Sequence, residues 1–229
     1  MKKALVFAML SMFCVLPAHA GTAGSVFQIA ARSTVVVFAH GMRGSTSVGT
    51  GVVLSDRVIA TNCHVIDGAV SLLVRFEQRE YPASRGFADP KRDLCMLTVS
   101  NVSADPATIG NSGNLTVGTR VYAVGTPHGL ELTLSEGIVS GFRQDKTGRY
   151  IQTTTPVSPG SSGGGLYDEH GRLVGLMSFT VEKGQNLNFA LPVEWIAELL
   201  DRHGNQRPSA FRVDITENAD GQKVIRITD

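Results

Sequence analysis

Short apolar, β-branched runs separated by turn-forming residues dominate the chain. Five runs precede residue 100, five lie between residues 120 and 191, and a polar, turn-rich segment at 100–118 separates the two sets. Such runs predict strands, here at 34–38, 49–54, 58–61, 71–76, 94–99, 120–124, 132–142, 150–153, 172–179 and 187–191. Two sets in series predict an all-β protein of two antiparallel barrels with a cleft between them.

One helix is predicted, at 193–202, after Pro192 and before Gly204. Its apolar face is expected to contain Trp195, Ile196, Leu199 and Leu200. Beyond it, residues 211–216 and 223–228 flank a turn sequence at 218–221, which predicts a hairpin. Residues 205–229 are therefore expected to form a linker and a possible β-hairpin tail.

The first twenty residues have the features of a secretory signal peptide. Lys2 and Lys3 precede an apolar run over 4–17, and small residues end the segment at Ala20. We expect cleavage after Ala20 and a periplasmic or secreted protein. The apolar run is shorter than a membrane span, so no membrane anchor is expected.

Charge and length narrow the function further. The chain has 229 residues and a formal net charge of +1, which becomes −1 without Lys2 and Lys3 because no acidic residue lies in the leader. A chain with no basic surplus is not expected to bind nucleic acid or a membrane surface. The remaining length suits one double-barrel domain.

Two cysteines, Cys63 and Cys95, remain after the leader. In an oxidising compartment these two cysteines could form a disulfide. Two small buried thiols that do not pair are an equally favoured interpretation. A zinc site of Cys63, His64 and Cys95 is disfavoured because the set lacks the paired spacing of metal motifs. No metal site is predicted.

A glycine-framed serine gives the first chemical signal. Ser162 lies in Ser-Pro-Gly-Ser-Ser-Gly-Gly-Gly at 158–165, where glycines permit close approach of a substrate carbonyl. Ser162 is a candidate nucleophile, and the amides of Gly160 and Ser162 are a candidate oxyanion hole. A flexible loop is the alternative interpretation.

A serine nucleophile requires a base and an orienting carboxylate. His64 follows the apolar run 58–63, whereas the other histidines after the leader lie beside glycine or proline in turn-like contexts. Asp93 opens the apolar run at 94–99, and a partly buried carboxylate there needs a partner such as an imidazole. Asp67 competes for this role, but its Ile-Asp-Gly context suits a turn better.

Several segments together resemble the HtrA/Deg branch of trypsin-like serine proteases. The resemblance covers most of residues 48–192 in the family's order, and its main segments are Gly-Thr-Gly-Val-Val at 49–53, Ala-Thr-Asn-Cys-His-Val at 60–65, Asp-Pro-Lys-Arg-Asp-Leu at 89–94, Val-Gly-Thr-Pro-His-Gly-Leu at 124–130, the serine loop, and Asn-Phe-Ala-Leu-Pro at 188–192. It implies two six-stranded barrels, the first at about 32–100 and the second at about 117–192, within a protease domain at 21–204.

Carried over by position, the resemblance assigns His64 as base, Asp93 as carboxylate and Ser162 as nucleophile. It implies hydrolysis of protein or peptide substrates through an acyl-enzyme, without a cofactor. The residues expected to form the substrate pocket are Thr155, Val157, Ser178, Phe179 and Asn188. The segments 155–158, 176–179 and 186–188 contain no acidic residue, which favours small or medium apolar side chains.

The chain also departs from the family pattern. Ser161 stands where this branch has asparagine, and Gly165 replaces a usual proline, which we expect to loosen the loop. Only 29 residues follow Leu200, so a trailing PDZ domain is not expected. The sequence does not distinguish a monomer from a trimer. The alternative function is a catalytically silent scaffold that binds a protein partner.

Overall fold

A computed structural model describes residues 22–127, 132–180 and 187–203, together with the backbone of two strands at 212–217 and 223–228. The predicted signal peptide at 1–20, the linker at 205–210 and the hairpin turn at 218–221 lie outside these ranges. Within them, neither helix has the length and apolar character required to cross a bilayer.

Twelve strands close into two antiparallel barrels, which confirms the predicted fold class. The first barrel consists of β1 (Thr34–Gly41), β2 (Thr46–Val53), β3 (Val58–Asn62), β4 (Ala69–Phe76), β5 (Arg79–Asp89) and β6 (Leu94–Val99) in the order β1-β2-β3-β6-β5-β4. The second consists of β7 (Arg120–Gly125), β8 (Thr133–Gln144), β9 (Arg149–Thr153), β10 (Gly165–Tyr167), β11 (Leu173–Thr180) and β12 (Asn188–Pro192) in the order β10-β11-β12-β9-β8-β7.

Two helices pack on the barrels. The predicted C-terminal helix is α2 (Glu194–Arg202), and all four residues of its expected apolar face are buried. The N-terminal helix, α1 (Ala23–Ala31), was not predicted. Thr22 caps it by accepting a hydrogen bond from the Ser25 amide at 3.3 Å. Beyond α2, the backbones of β13 (Arg212–Glu217) and β14 (Lys223–Thr228) pair as a two-stranded antiparallel sheet.

Buried apolar side chains form three clusters. One fills the first barrel around Val37 and Leu97, and another fills the second around Ile151 and Leu166. The third joins outward-facing side chains of both barrels to the two helices. This shared core fixes the barrels against each other, because separating them would expose apolar surface to water. Side chains from both barrels can therefore meet in a fixed geometry.

Candidate active site

The turn that carries Asp93 is held by its own backbone. Asp93 lies between β5 and β6 with a φ of 56°, in the left-handed region. Its carbonyl oxygen accepts hydrogen bonds from Nδ2 of Asn62 at 3.0 Å and from the amide of Cys63 at 3.2 Å. These two donors at the end of β3 stabilise a backbone conformation that is unfavourable for most residues.

His64 lies directly against this turn. It belongs to the 3-10 turn Cys63–Val65 that follows β3. The carboxylate of Asp93 accepts a bond from the His64 amide at 2.9 Å, and its other oxygen lies 2.7 Å from His64 Nδ1. The carboxylate of Asp93 therefore fixes both the orientation of the His64 side chain and the position of the His64 backbone.

The electrostatics of this pair define the histidine tautomer. The hydrogen bond with Asp93 raises the pKa of His64, and burial opposes this in part. Burial raises the pKa of Asp93, but the hydrogen bonds from His64 and Ser178 outweigh it and hold that pKa below its usual value. An ionised Asp93 can only accept, so Nδ1 carries the proton and Nε2 of the neutral ring is free to act as a base.

Ser178 is a third partner of Asp93. Its hydroxyl donates to Asp93 Oδ2 at 2.7 Å, although the two residues are 85 positions apart. Sequence reasoning assigned Ser178 to the substrate pocket, whereas the structure directs its buried side chain to the carboxylate. No local sequence pattern indicates this contact, because it joins β11 of the second barrel to a turn of the first.

The candidate nucleophile contacts the same residue from the other side. The Ser162 hydroxyl donates to the Ser178 carbonyl at 3.2 Å, and among the hydrogen bonds of the described residues none joins it to His64. Ser178 therefore lies between Asp93 and Ser162. For the predicted role of Ser162 as nucleophile, its hydroxyl would have to rotate toward His64.

Backbone hydrogen bonds hold several peptide groups of the loop around Ser162. The Ser161 amide donates to Ser158 O at 3.0 Å, the Ser161 carbonyl accepts from the Gly164 amide at 2.9 Å, and the Gly163 amide donates to Met177 O at 2.8 Å. In contrast, the amides of Gly160 and Ser162 have no acceptor within the described part of the chain. These two amides are the predicted oxyanion donors.

A disulfide joins Cys63 to Cys95, with their Cα atoms 4.9 Å apart. The sequence left pairing and free thiols equally open. The bond connects the residue before His64 to the second residue after Asp93. It also removes both sulfurs from the thiolate donors that the disfavoured zinc site would have used.

Comparison with known proteins agrees with this architecture. The trypsin-like peptidase domain family matches residues 49–176, which is more than half of the chain. The chain belongs to the trypsin-like peptidase family. Solved structures of similar fold place it in the HtrA-type branch: it aligns with HtrA-type protease AlgW, solved with a tripeptide, at a TM-score of 0.74 and 27% identity, covering 85% of this chain and 68% of that one. It also aligns with a serine endoprotease from Yersinia pestis at a TM-score of 0.72 and 26% identity, covering 89% of this chain and 74% of that one.

Two relatives carry the name "Probable periplasmic serine endoprotease DegP-like". The protein of Pseudomonas savastanoi pv. phaseolicola is 38% identical over 161 residues, which is 66% of this chain and 34% of the relative. The protein of Halomonas elongata is 36% identical over 168 residues, which is 69% of this chain and 35% of the relative. The peptidase chain thus spans about a third of the length of these relatives.

Gly165 has a packing role in this HtrA-type domain. It is buried in β10, paired with both β7 and β11. A Cβ at this position would lie 2.4 to 2.5 Å from the ring of Tyr167, which is fully buried. The tyrosine ring therefore fills the space that a larger residue at 165 would occupy, and the loosening of the loop stays a prediction.

Of the other expected pocket residues, only Phe179 is well exposed, at 42%. Val157 is half-buried and packs on the core of the second barrel. Thr155 is fully buried, and its hydroxyl bonds to Thr153 rather than facing a ligand. Asn188 is buried at the start of β12, where it pairs with Thr153.

An aromatic cluster connects the exposed Phe179 to the domain's C-terminal helix. Phe179 stacks on Phe189 with ring centroids 4.8 Å apart and meets Tyr150 edge-on at 5.6 Å. Tyr150 in turn meets Trp195 of α2 edge-on at 5.0 Å, and the guanidinium of Arg92 lies 4.5 Å from the Trp195 ring centroid. The residue before Asp93 thus anchors α2.

A network of charges strengthens this anchor. Arg92 donates to Thr147 O at 3.0 Å and forms an ion pair with Glu198 of α2. Asp89 is buried and pairs with Arg202 at 2.5 Å. Burial raises the pKa of Asp89, but the two arginines outweigh it and lower that pKa overall. Sequence reasoning did not identify this network.

A cavity of about 900 Å³ lies between α1, β1 and the turn that joins β4 to β5. Its lining includes Arg32, Val36, Arg75 and Leu132, but none of the predicted site residues. This cavity is thus not where the candidate catalytic groups meet.

Proposed function

We propose that this protein is an exported serine endopeptidase that hydrolyses peptide bonds with His64, Asp93 and Ser162. The observation that carries the proposal is the 2.7 Å contact between His64 Nδ1 and Asp93, with Ser178 bonded to both Asp93 and Ser162. This arrangement supplies an oriented base, and Ser178 links its carboxylate partner to a serine in a loop where the amides of Gly160 and Ser162 have no acceptor among the described residues.

The reaction follows from the roles of these groups. Ser162 Oγ attacks the peptide carbonyl carbon while its proton passes to His64 Nε2. The oxygen that becomes negative is bound by the amides of Gly160 and Ser162. The carbon–nitrogen bond then breaks as His64 gives the proton to the leaving amine. Water, deprotonated by His64, hydrolyses the acyl-enzyme and restores Ser162.

Substrate preference is proposed from the pocket segments. They contain no acidic residue to pair with an arginine or lysine side chain. Phe179 offers an exposed apolar surface. At Asn188, where relatives often have glycine, we propose a side chain that narrows the pocket or adds a polar contact. We therefore propose cleavage after small or medium apolar residues of protein or peptide substrates.

The site of action is proposed to be the periplasm. The leader sequence at 1–20 and the periplasmic designation of the relatives support export. The disulfide between Cys63 and Cys95 agrees with an oxidising compartment.

A catalytically silent scaffold is the second candidate. One observation favours it: the Ser162 hydroxyl donates to Ser178 O instead of His64. A scaffold would keep that hydrogen bond and bind a partner protein without cleaving it.

A serine-directed phosphonate probe separates the two functions. We expect the wild type to be labelled at Ser162 and to cleave an unfolded protein, and Ser162→Ala to lose both, with a rate decrease on the order of 10⁴-fold or more. Ser161→Ala removes only the neighbouring hydroxyl and should still be labelled. An unlabelled wild type, or cleavage that survives Ser162→Ala, would contradict the assignment.

A further inference from the structure

The nucleophile loop is tied to the first barrel through a single threonine. Thr50 lies in β2 and is fully buried. Its amide donates to the Ser162 carbonyl at 2.8 Å, and its hydroxyl donates to the Gly160 carbonyl at 2.7 Å. One residue of the first barrel thus holds the carbonyls of both residues whose amides are the proposed oxyanion donors.

The Thr50 hydroxyl has three hydrogen-bonding neighbours. A hydroxyl has one proton and two lone pairs. The proton goes to Gly160 O, which can only accept. The lone pairs face the amide of Thr126 at 2.9 Å and the hydroxyl of Thr126 at 3.0 Å. Because the Gly160 carbonyl can only accept and the Thr126 amide can only donate, the direction of the hydrogen bond to Gly160 is fixed.

Gly160 needs such a partner. Its φ is 95°, and without a Cβ its backbone has little conformational preference of its own. The Thr50 hydroxyl holds the peptide plane between Gly160 and Ser161, and the Thr50 amide holds the plane between Ser162 and Gly163. The intervening plane carries the Ser162 amide. Both planes that flank it are therefore pinned to the same residue.

Close packing reinforces the attachment. A Cβ on Gly163 would lie 2.1 Å from Thr50 O, so the loop backbone lies directly against β2. Thr61 of β3 donates to that same Thr50 O at 2.7 Å. The position of Thr50 is therefore set by the barrel and not by the loop that it holds.

We infer that Thr50 is a positioning residue for the oxyanion hole. Its hydroxyl orients the Gly160 backbone so that the amides of Gly160 and Ser162 point to one place. The inference rests on the proposed peptidase function and adds a residue that acts through the loop without touching the substrate. In the absence of the hydroxyl, the Gly160 carbonyl and the Thr126 amide lose a buried partner, and the loop loses its fixed direction.

The test uses the full chain with Thr50→Val, which keeps the shape and removes the hydroxyl, and Thr50→Ser, which keeps the hydroxyl. A peptide amide substrate gives kcat and KM, and a peptide aldehyde that forms a tetrahedral adduct gives an inhibition constant. For Thr50→Val we expect kcat/KM to fall and the aldehyde constant to rise by the same factor, about 10- to 100-fold, with KM within twofold. Thr50→Ser should stay within about threefold of wild type.

Thr34→Val is the matched control. Thr34 is also a buried threonine, and its hydroxyl donates to the Ala30 carbonyl of α1 at 2.8 Å and lies beside the Tyr167 hydroxyl, whereas neither Gly160 nor Ser162 is among its hydrogen-bond partners. It should lower the melting temperature without changing kcat. A merely structural role for Thr50 would give the same result for Thr50→Val, and that outcome overturns the inference.

Two further outcomes are distinguished. If the wild type cleaves, Ser162→Ala does not, and Thr50→Val equals wild type, the inference fails and the proposed function stands. If the wild type neither cleaves nor reacts with the probe, both fail. Should Thr50→Val not fold, a crystal structure of the wild type with a peptide boronic acid on Ser162 decides. The boronate oxygen should accept from the Gly160 and Ser162 amides with Thr50 Oγ1 still on Gly160 O, and a Gly160 carbonyl turned away from Thr50 overturns the inference.

Discussion

The carboxylate of Asp93 binds His64 twice, at Nδ1 over 2.7 Å and at the backbone amide over 2.9 Å. The second bond does not depend on the rotamer of the imidazole. The position of the His64 backbone and the direction of its ring are thus set by the same group. An imidazole held in this way can exchange a proton at Nε2 without leaving its site.

This relationship predicts the pH dependence of activity. Because the hydrogen bond with Asp93 raises the pKa of His64, kcat/KM should increase with pH through an apparent pKa above 6.5. In Asp93→Asn the raising bond is lost while burial still lowers the pKa, so the midpoint should move down and the rate should fall about 10⁴-fold. The pH profiles of kcat/KM for both proteins provide the measurement. A wild-type midpoint at or below 6.5 would contradict the prediction.

The same pair should stabilise the fold within a defined pH window. The raised pKa of His64 gives stability that is complete below 6.5 and is lost as the pH rises through the folded value. The lowered pKa of Asp93 gives stability that is present above 3.8 and is lost as the pH falls through the folded value. Urea unfolding of Ser162→Ala, chosen to prevent self-cleavage, and of the same protein with His64→Gln should differ most between pH 3.8 and 6.5. A difference that does not change with pH would exclude the linkage.

Ser178 should contribute to both stability and rate. Ser178→Ala removes the hydroxyl that donates to Asp93 and keeps the carbonyl that accepts from Ser162. A hydrogen bond to a charged group contributes about 1.5–3 kcal/mol, so the free energy of unfolding should fall by that amount. We expect kcat to fall about 10-fold because the carboxylate is less well fixed.

Ser140→Ala is the control for this change. The Ser140 hydroxyl is buried and has no hydrogen-bond partner among the described residues. Its removal should leave the free energy of unfolding unchanged or slightly higher. Equal effects of the two substitutions in urea unfolding and in kcat would show that the bond to Asp93 is unimportant.

The sequence predicted elements that have a strong local pattern. Ten barrel strands coincide with apolar runs, whereas β5 and β10 were missed. β5 is largely exposed and contains Pro82 and Gly86, and β10 has only three residues. Helix α1 was missed as well, since only Val26 and Ala30 of its nine residues are buried. Its contacts with β7 and β10 are created by the fold and leave little periodicity in the sequence.

The candidate site likewise combines residues that the local sequence indicates with contacts that only the fold creates. Local contexts indicated His64, Asp93 and Ser162 separately, and the structure places His64 on Asp93. The hydroxyl contacts of Ser178 and Thr50 join residues 85 and 110 positions apart across the two barrels. No pattern within one strand records such a contact, because it depends on how the barrels pack.

The disulfide should matter more for stability than for the rate. It closes a loop of 32 residues, and in the chain-entropy model such a crosslink contributes roughly 3 to 4 kcal/mol. The double variant Cys63→Ala/Cys95→Ala should lose about that much in urea unfolding. Its kcat at 25 °C should stay within a few-fold, because β3 and β6 remain paired and Asn62 still holds the Asp93 carbonyl.

Dithiothreitol provides the control for the disulfide. The reductant should lower the unfolding free energy of the wild type and leave the double variant unchanged. A large loss of kcat in the folded double variant would mean that the disulfide itself positions His64.

The contact between Gly165 and Tyr167 gives the last prediction. A methyl group at 165 would collide with the Tyr167 ring at 2.4 to 2.5 Å, so Gly165→Ala in a Ser162→Ala background should cost about 1–3 kcal/mol of unfolding free energy. Tyr167→Leu alone leaves a cavity and is also destabilising. Because the smaller side chain makes room for the methyl group, the double variant should be more stable than the sum of the two losses predicts, by about 1 kcal/mol or more.

Gly24→Ala is the control, since that helical position is open and the change should stabilise by up to about 1 kcal/mol. Strict additivity of the two changes in urea unfolding would show that the ring is not what excludes a side chain at position 165.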